Sequence, residues 1–381
     1  MKNTNNLGAR AIALHKKYQG KLKTASKIPL RNMQDLSLIY TPGVGLVSSL
    51  IAKNKKLTRD LTFKGNSVAV VSDGSAVLGL GNIGPEAALA VMEGKAVIFK
   101  EFADIDAVPI VLNTQDQEKI IEIVKAISPT FGGINLEDFS APRCFEIENR
   151  LKKELDIPVM HDDQHGTAIV TLAALINAAK VVKKKLTELK VVISGAGPAG
   201  VAVAKLLLNA GIKNIIIVDS KGIISAKRPD LLPYKKELVK ITNPKKLSGD
   251  FVKAIENADV FIGLSRPNVF FASDIKKMAK SAIVFAMANP IPEIMPDVAK
   301  AAGAAVVATG RSDFPNQINN SLAFPGVFRG ALDNQVRQIT DKMKMKAAYA
   351  LAELIKKPSA QKIIPSIFDK RVVKIVAKSI K

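Results

Sequence analysis

LKVVISGAGPAGVAVAKLLLNAGIKNIIIVD, residues 189–219, reads as a strand, a glycine turn, a helix and a second strand. The β-branched run Lys190–Ser194 leads without a gap into Gly195-x-Gly197-x-x-Gly200. A helix rich in Ala, Val and Leu follows, stops at Gly211 where a left-handed cap suits glycine, and gives way to a strand ending in Asp219. Each glycine has a physical role in dinucleotide binding. The first permits a tight turn, the second lets backbone N–H groups approach a pyrophosphate at the positive end of the helix, and the third lets the helix lie close on the strand. Gly195, Gly197, Pro198, Ala199 and Gly200 are therefore candidate cofactor-binding residues, and Asp219 would accept hydrogen bonds from ribose hydroxyls. A carboxylate there repels a 2′-phosphate and favours NAD, although Lys221, two residues on, could offset that repulsion and admit NADP.

Outward from this unit, strand-like runs alternate with helical stretches along most of the 381 residues, which predicts an α/β fold with parallel sheets. Strands are expected at Ser67–Ser72, Ala96–Lys100, Val108–Leu112, Ile134–Leu136 and Val159–His161 in the first half. In the second they are expected at Lys190–Ser194, Asn214–Asp219, Val260–Gly263, Ile283–Ala286 and Ala305–Thr309. A boundary near Pro158–Gly166 divides the chain into residues 1–160 and a Rossmann-type doubly wound domain, 161–381. A second triplet, Gly79-x-Gly81-x-x-Gly84, has the same spacing and even an acidic residue, Glu101, beyond the expected 96–100 strand. The turn Asp73-Gly74-Ser75 separates it from its own strand, so it reads as a structural turn.

Charge is distributed unevenly. The net formal charge is +22, yet residues 1–60 carry 12 basic against 2 acidic side chains and residues 341–381 carry 11 against 3, leaving the middle near neutral. Aromatic residues make up only 5% of the chain, with no Trp, so the basic ends lack the stacking platforms of single-strand binders, and no nucleic-acid partner is expected. The single cysteine, Cys144, forbids an intrachain disulfide and reads as a small buried residue in a reducing compartment. The first twenty residues lack a signal-peptide core, and no run reaches about 18 apolar residues, the nearest being Thr167–Ala179, interrupted by Asn177. The expectation is a cytoplasmic protein without a membrane span. From Pro365 onward, Phe368, Val372, Ile375, Val376 and Ser379 share one face of a basic amphipathic helix, expected to pack on its own domain or on a second subunit.

Carboxylates gather where strands end. Ile134–Leu136 runs into Glu137-Asp138, and Val159–His161 runs into Asp162-Asp163 and then Gln164-His165-Gly166-Thr167. Adjacent carboxylates repel, and a divalent cation between two such pairs relieves the repulsion; an all-oxygen set suits Mg²⁺ or Mn²⁺. The alternative is that Asp162 or Asp163 only caps the following helix. His161 and His165 read as hydrogen-bonded structural residues. Asn289, Asn316, Gln317, Asn319 and Asn320 concentrate amides able to hold carboxylates or carboxamides, each also a common turn residue.

Taken in order, Tyr40-Thr41-Pro42-Gly43-Val44, Gly79–Gly84 with Glu93-Gly94-Lys95, Glu137-Asp138, His161–Thr167, Gly195–Gly200, Ala288-Asn289-Pro290 and Asn319-Asn320 with Phe324-Pro325-Gly326 resemble the motifs of malic enzymes of the short prokaryotic type. The match spans residues 40 to about 330. The resemblance implies an N-terminal α/β substrate domain holding the Gly79–Gly84 loop, followed by the NAD(P)-binding Rossmann domain. It implies oxidative decarboxylation of (S)-malate to pyruvate and CO₂, with NAD the preferred cofactor over NADP and with Mg²⁺ or Mn²⁺. By motif, Glu137, Asp138 and Asp163 match metal ligands, Asp162 the carboxylate orienting them, Lys95 the general base and Tyr40 the general acid. Asn289 and Asn320 match residues that hold substrate near the nicotinamide, with Asn319 a further candidate. A lysine beside a cation in a closed site is expected to have a lowered pKa and act as a neutral base. Larger members place an arginine for the substrate carboxylate in the segment matching Asp73–Ala76, where this chain has Ala76. Backbone N–H groups of the Gly79–Gly84 loop, or a basic residue of another subunit, must then replace it. A homodimer is expected. The rival readings are a malolactic-type or oxaloacetate-decarboxylating enzyme on the same site, and a non-catalytic dinucleotide-binding regulator.

Overall fold

The computed structural model describes residues 2–381, with side chains from Leu7 onward. Two sheets carry the fold. The first has strands β1 (Ser67–Ser72), β2 (Asp106–Val111), β3 (Gly133–Leu136) and β4 (Val159–His161), all parallel in the order β2-β1-β3-β4. The second has β5 (Lys190–Ser194), β6 (Asn214–Asp219), β7 (Gly222–Ile223), β8 (Val260–Gly263), β9 (Ile283–Ala286) and β10 (Val306–Thr309), in the order β10-β9-β8-β5-β6-β7. Only β7 runs antiparallel, at the edge. The continuous apolar runs reflect burial on both faces. In β1, Val68 and Val70 face the core shared with Phe99, while Ala69 and Val71 face Ile120 and Ile147.

The helix Asp162–Val181 joins the two sheets and is buried almost all round. Its apolar residues enter one core with Val70 of the first sheet and Val191 and Ile193 of the second. Asn177, the interruption in its apolar run, is buried and donates to the carbonyls of Ala352 and Ile363, each at 2.9 Å. It ties this helix to the C-terminal segment.

Two expectations need correction. Ala96–Lys100 is not a strand but the last turns of a helix, Pro85–Ala103, which also contains Glu101. Val97 and Ile98 suggest a strand locally, but Ala88, Met92, Ala96, Phe99 and Ala103 recur at helical spacing and are buried. The C-terminal helix begins only at Arg371, so Phe368 lies outside it and is 79% exposed. Val372 and Val376 do bury their stripe on the chain itself, and a Cβ at Gly326 of the helix Phe324–Asp333 would overlap Val376. Among the described residues Met33–Lys53 alone is long and apolar enough, by length and composition, to cross a membrane, but it is not one continuous helix. It comprises two helices, Met33–Ile39 and Gly43–Lys53, that meet at Tyr40 and Pro42.

Candidate active site

β3 and β4 are neighbours in register, Leu136 beside His161, so their C-terminal ends deliver Glu137-Asp138 and Asp162-Asp163 to one place. Glu137, Asp138 and Asp163 each offer an oxygen, and these atoms lie within 4.8 Å of one another. Asp163 accepts the Asp138 backbone N–H at 2.8 Å, and the Asn135 amide donates to Glu137 at 3.0 Å. The Lys95 ammonium, from the Pro85–Ala103 helix, stands 2.6 Å from both Glu137 Oε1 and Asp162 Oδ2, and 4.4 Å from the Phe324 ring centroid. Neither Asp162 nor Asp163 is the N-cap of its helix. That position is His161, and it makes no side-chain cap bond.

The electrostatics are unbalanced. Four carboxylates share one lysine, and Asp138 Oδ2 and Asp162 Oδ1 are buried without a hydrogen-bond partner. Burial raises the Asp138 carboxyl, with Asp163 and Glu137 adding to it, to about 9. Burial and Asp163 raise Glu137 to about 7 against the opposing pull of Lys95, and burial raises Asp162 to about 7. An all-oxygen donor set with orphaned buried oxygens fits a divalent cation such as Mg²⁺ or Mn²⁺. Lys95 departs from expectation. Burial alone would lower its pKa, but Asp162, Glu137 and Asp163 outweigh it and hold the ammonium charged in the metal-free cluster.

The second half of the site lies at the crevice where strand order reverses, between β5 and β8. Gly195 has φ +118, which a side chain would strain, and a Cβ at Gly200 would overlap the Gly195 carbonyl oxygen. Space beside Gly197 is open, as close approach of a phosphate requires. Asp219 ends β6, but its oxygens are taken: Arg228 Nη1 and Lys235 Nζ each lie 2.7 Å away, and the Lys221 N–H donates at 2.9 Å. The Lys221 side chain does not offset Asp219. It pairs with Asp230 at 3.0 Å instead.

The two halves meet through loops. A Cβ at Gly79 would overlap the Asn289 carbonyl oxygen, so the Gly79–Gly84 loop lies against Asn289. Asn320 packs on Gly166, one turn into the helix that Asp162 begins. Asn319 caps Ser321 N–H at 2.9 Å, and Asn316 is buried, bonded to Val307, Ala360 and Ile363 backbone. The Gln317 amide lies 3.5 Å from the Gly310 carbonyl. Tyr40 is not among the partners of Lys95. It lies 64% exposed on the N-terminal arm.

Sequence reading passed over Glu148, Glu293, Lys344, Arg228 and Lys235. Glu148 carried a signal: on the helix Arg143–Glu154 it shares the buried face with Cys144, Ile147 and Leu151. Glu293, fully buried, accepts the N–H groups of Ser265 and Ala288 at 3.0 Å each and so braces the loop before Asn289.

Two family models match the chain: the malic enzyme N-terminal domain over residues 19–152 and the malic enzyme NAD-binding domain over residues 164–380. The NAD-dependent malic enzyme of Geobacillus stearothermophilus is 56% identical over 98% of this chain and 78% of its own length. The bifunctional malic/malolactic enzyme of Bacillus subtilis (strain 168) is 55% identical over 98% of this chain and 92% of its own. The crystal structure of the NAD-dependent malic enzyme of Thermotoga maritima superposes with a TM-score of 0.95 at 51% identity, covering 97% of this chain and 98% of that one.

Proposed function

This chain belongs to the malic enzyme family and is a decarboxylating oxidoreductase that uses a nicotinamide cofactor, and we propose that it converts (S)-malate to pyruvate and CO₂ at the Lys95 carboxylate cluster. The observation that carries this reading is the convergence of Glu137, Asp138 and Asp163 beside buried Lys95. Those three carboxylates would hold Mg²⁺ or Mn²⁺, with Asp162 orienting them. When bound, the cation supplies Lewis acidity for the decarboxylation and the nicotinamide accepts the hydride.

The chain's own groups supply the rest. Were a cation to take up the charge of Glu137, Asp138 and Asp163, only Asp162 would still oppose the penalty of burying Lys95, which brings it closer to the neutral amine able to take the malate hydroxyl proton. Asn289, whose carbonyl lies against Gly79, and Asn320, packed on Gly166 in the helix that Asp162 begins, would orient the substrate. Ala76 leaves no arginine for the second carboxylate, and its own N–H is bound to the Asp138 carbonyl at 2.9 Å. The Gly79–Gly84 backbone is the group we assign to that carboxylate. Tyr40 would protonate C3.

Tyr40 sits among uncovered apolar residues, including Leu30, Met33, Leu38 and Leu46, each at least 60% exposed. A second copy laid over this arm would bury them and enclose Tyr40, which supports a homodimer. The cofactor reading also sharpens. Arg228 and Lys235 offset the charge of Asp219, with Arg228 shared between it and Asp230, so we propose that NAD and NADP are both accepted. A cytoplasmic setting belongs to the same proposal, supported by the lone buried Cys144. The malolactic alternative is favoured by one observation, the bifunctional Bacillus relative. Absorbance at 340 nm with malate, Mn²⁺ and each nucleotide decides between them, since decarboxylation without net redox leaves no reduced cofactor.

A further inference from the structure

The acidic turn 161–163 is held from behind by a network that belongs to neither ligand nor substrate chemistry. Glu148, 3% exposed, accepts the His161 backbone N–H at 3.0 Å. It also receives the Gln164 amide at 3.3 Å and the His165 Nε2 at 3.0 Å. These contacts bracket Asp162 and Asp163 on both sides in sequence. The far side of His165 is occupied as well: its Nδ1 lies 3.0 Å from Lys344 Nζ, which also donates to Asp341 at 2.9 Å. Lys344 is itself only 3% exposed and comes from the helix Asp341–Glu353, far along the chain in the region of the nucleotide-binding model. The contacts fix one tautomer, with Nε2–H donating to Glu148 and Nδ1 accepting from the ammonium.

Glu148, Gln164, His165 and Lys344 also line a cavity of about 340 Å³, so on that side the network borders open space, and its hydrogen bonds rather than close packing alone hold these four groups in place. A carboxylate and an ammonium are expensive to bury unless geometry repays the cost, and here each is linked through one imidazole. We propose that Glu148 is a positioning residue for the metal-binding turn, and that His165 and Lys344 lock it from the nucleotide-binding part of the chain. This rests on the reading of Glu137, Asp138 and Asp163 as ligands. Partners of this kind typically change metal affinity or activity by about 10- to 100-fold when removed.

The test is a Mn²⁺ titration followed by electron paramagnetic resonance on wild type, Asp163→Asn, Glu148→Gln and Lys344→Met, with NADH affinity and thermal midpoint measured alongside. Glu148→Gln keeps the shape but presents an N–H where His165 already donates. It is expected to weaken Mn²⁺ binding by about 10-fold or more, with NADH affinity unchanged and turnover recovering at excess Mn²⁺. Lys344→Met should shift Mn²⁺ affinity in the same direction by less, and it decides the matter if the glutamine variant does not fold. Folded variants that both bind Mn²⁺ as wild type does would overturn the proposal while the ligand reading stands. Asp163→Asn binding Mn²⁺ as tightly as wild type would instead strike the ligand reading, and the proposal with it.

Discussion

Lys95 stands 2.6 Å from two carboxylates and is 8% exposed, so its protonation state is set by their charge rather than by solvent. Lys95→Ala should lower turnover by about 10²-fold or more, in the range of general acid–base groups, while NADH affinity measured by fluorescence is retained. The carboxylates around it give a pH prediction. Glu137 and Asp162 at about 7 and Asp138 at about 9 bind protons in the fold that the unfolded chain releases near pH 4. Folded protein thus holds more protons across that window, and stability falls as pH rises through it. Lys95, raised above its ordinary value, adds no pH dependence below about 10. The thermal midpoint of chelator-treated protein should therefore drop from about pH 6 to 9, and Mn²⁺ should stabilise most at the upper end. The acidic pairs were legible because strand ends are where α/β folds present chemistry. Arg228 and Lys235 were not, since only the path of the chain after β7 returns them to Asp219. The charged state of Lys95 was hidden too, because it depends on three carboxylates whose distances no spacing rule supplies.

At the scale of elements, most of the second domain was legible, since its strands are short, β-branched and punctuated by glycine. The error at Ala96–Lys100 arose because a helix buried on one broad face carries β-branched residues on its flank; Pro85 at its start was the stronger signal. Asn177 shows how an apparent defect in an apolar run can be structural. Its amide serves two carbonyls from separate C-terminal segments. Asn177→Leu takes the amide from both carbonyls, of which Ala352 keeps the Ile355 N–H at 3.2 Å, and should cost about 1–3 kcal/mol in urea unfolding, without altering Mn²⁺ affinity. An unchanged midpoint would mean that water replaces the amide.

For the whole molecule, the charge of +22 acquires a location. Its basic excess lies at the two ends of the chain, and the first of these is also the arm that leaves Leu30, Met33 and Tyr40 uncovered. The arm offers apolar surface to a second copy, while the near-neutral middle holds the carboxylates and amides. Sedimentation should give a dimer. Mixing Tyr40→Phe with Lys95→Ala chains should restore activity if Tyr40 completes the site of the second copy, and restore none if each chain supplies both groups. The central claim, metal-assisted oxidative decarboxylation at Glu137, Asp138, Asp163 and Lys95, is tested most directly by following absorbance at 340 nm with (S)-malate and NAD or NADP. The assay compares wild type and Asp163→Asn, each with Mn²⁺ and after chelation. Wild type should give reduced nucleotide only with the metal, and the variant none. Equal rates after chelation, or an active Asp163→Asn enzyme with unchanged Mn²⁺ dependence, would contradict it.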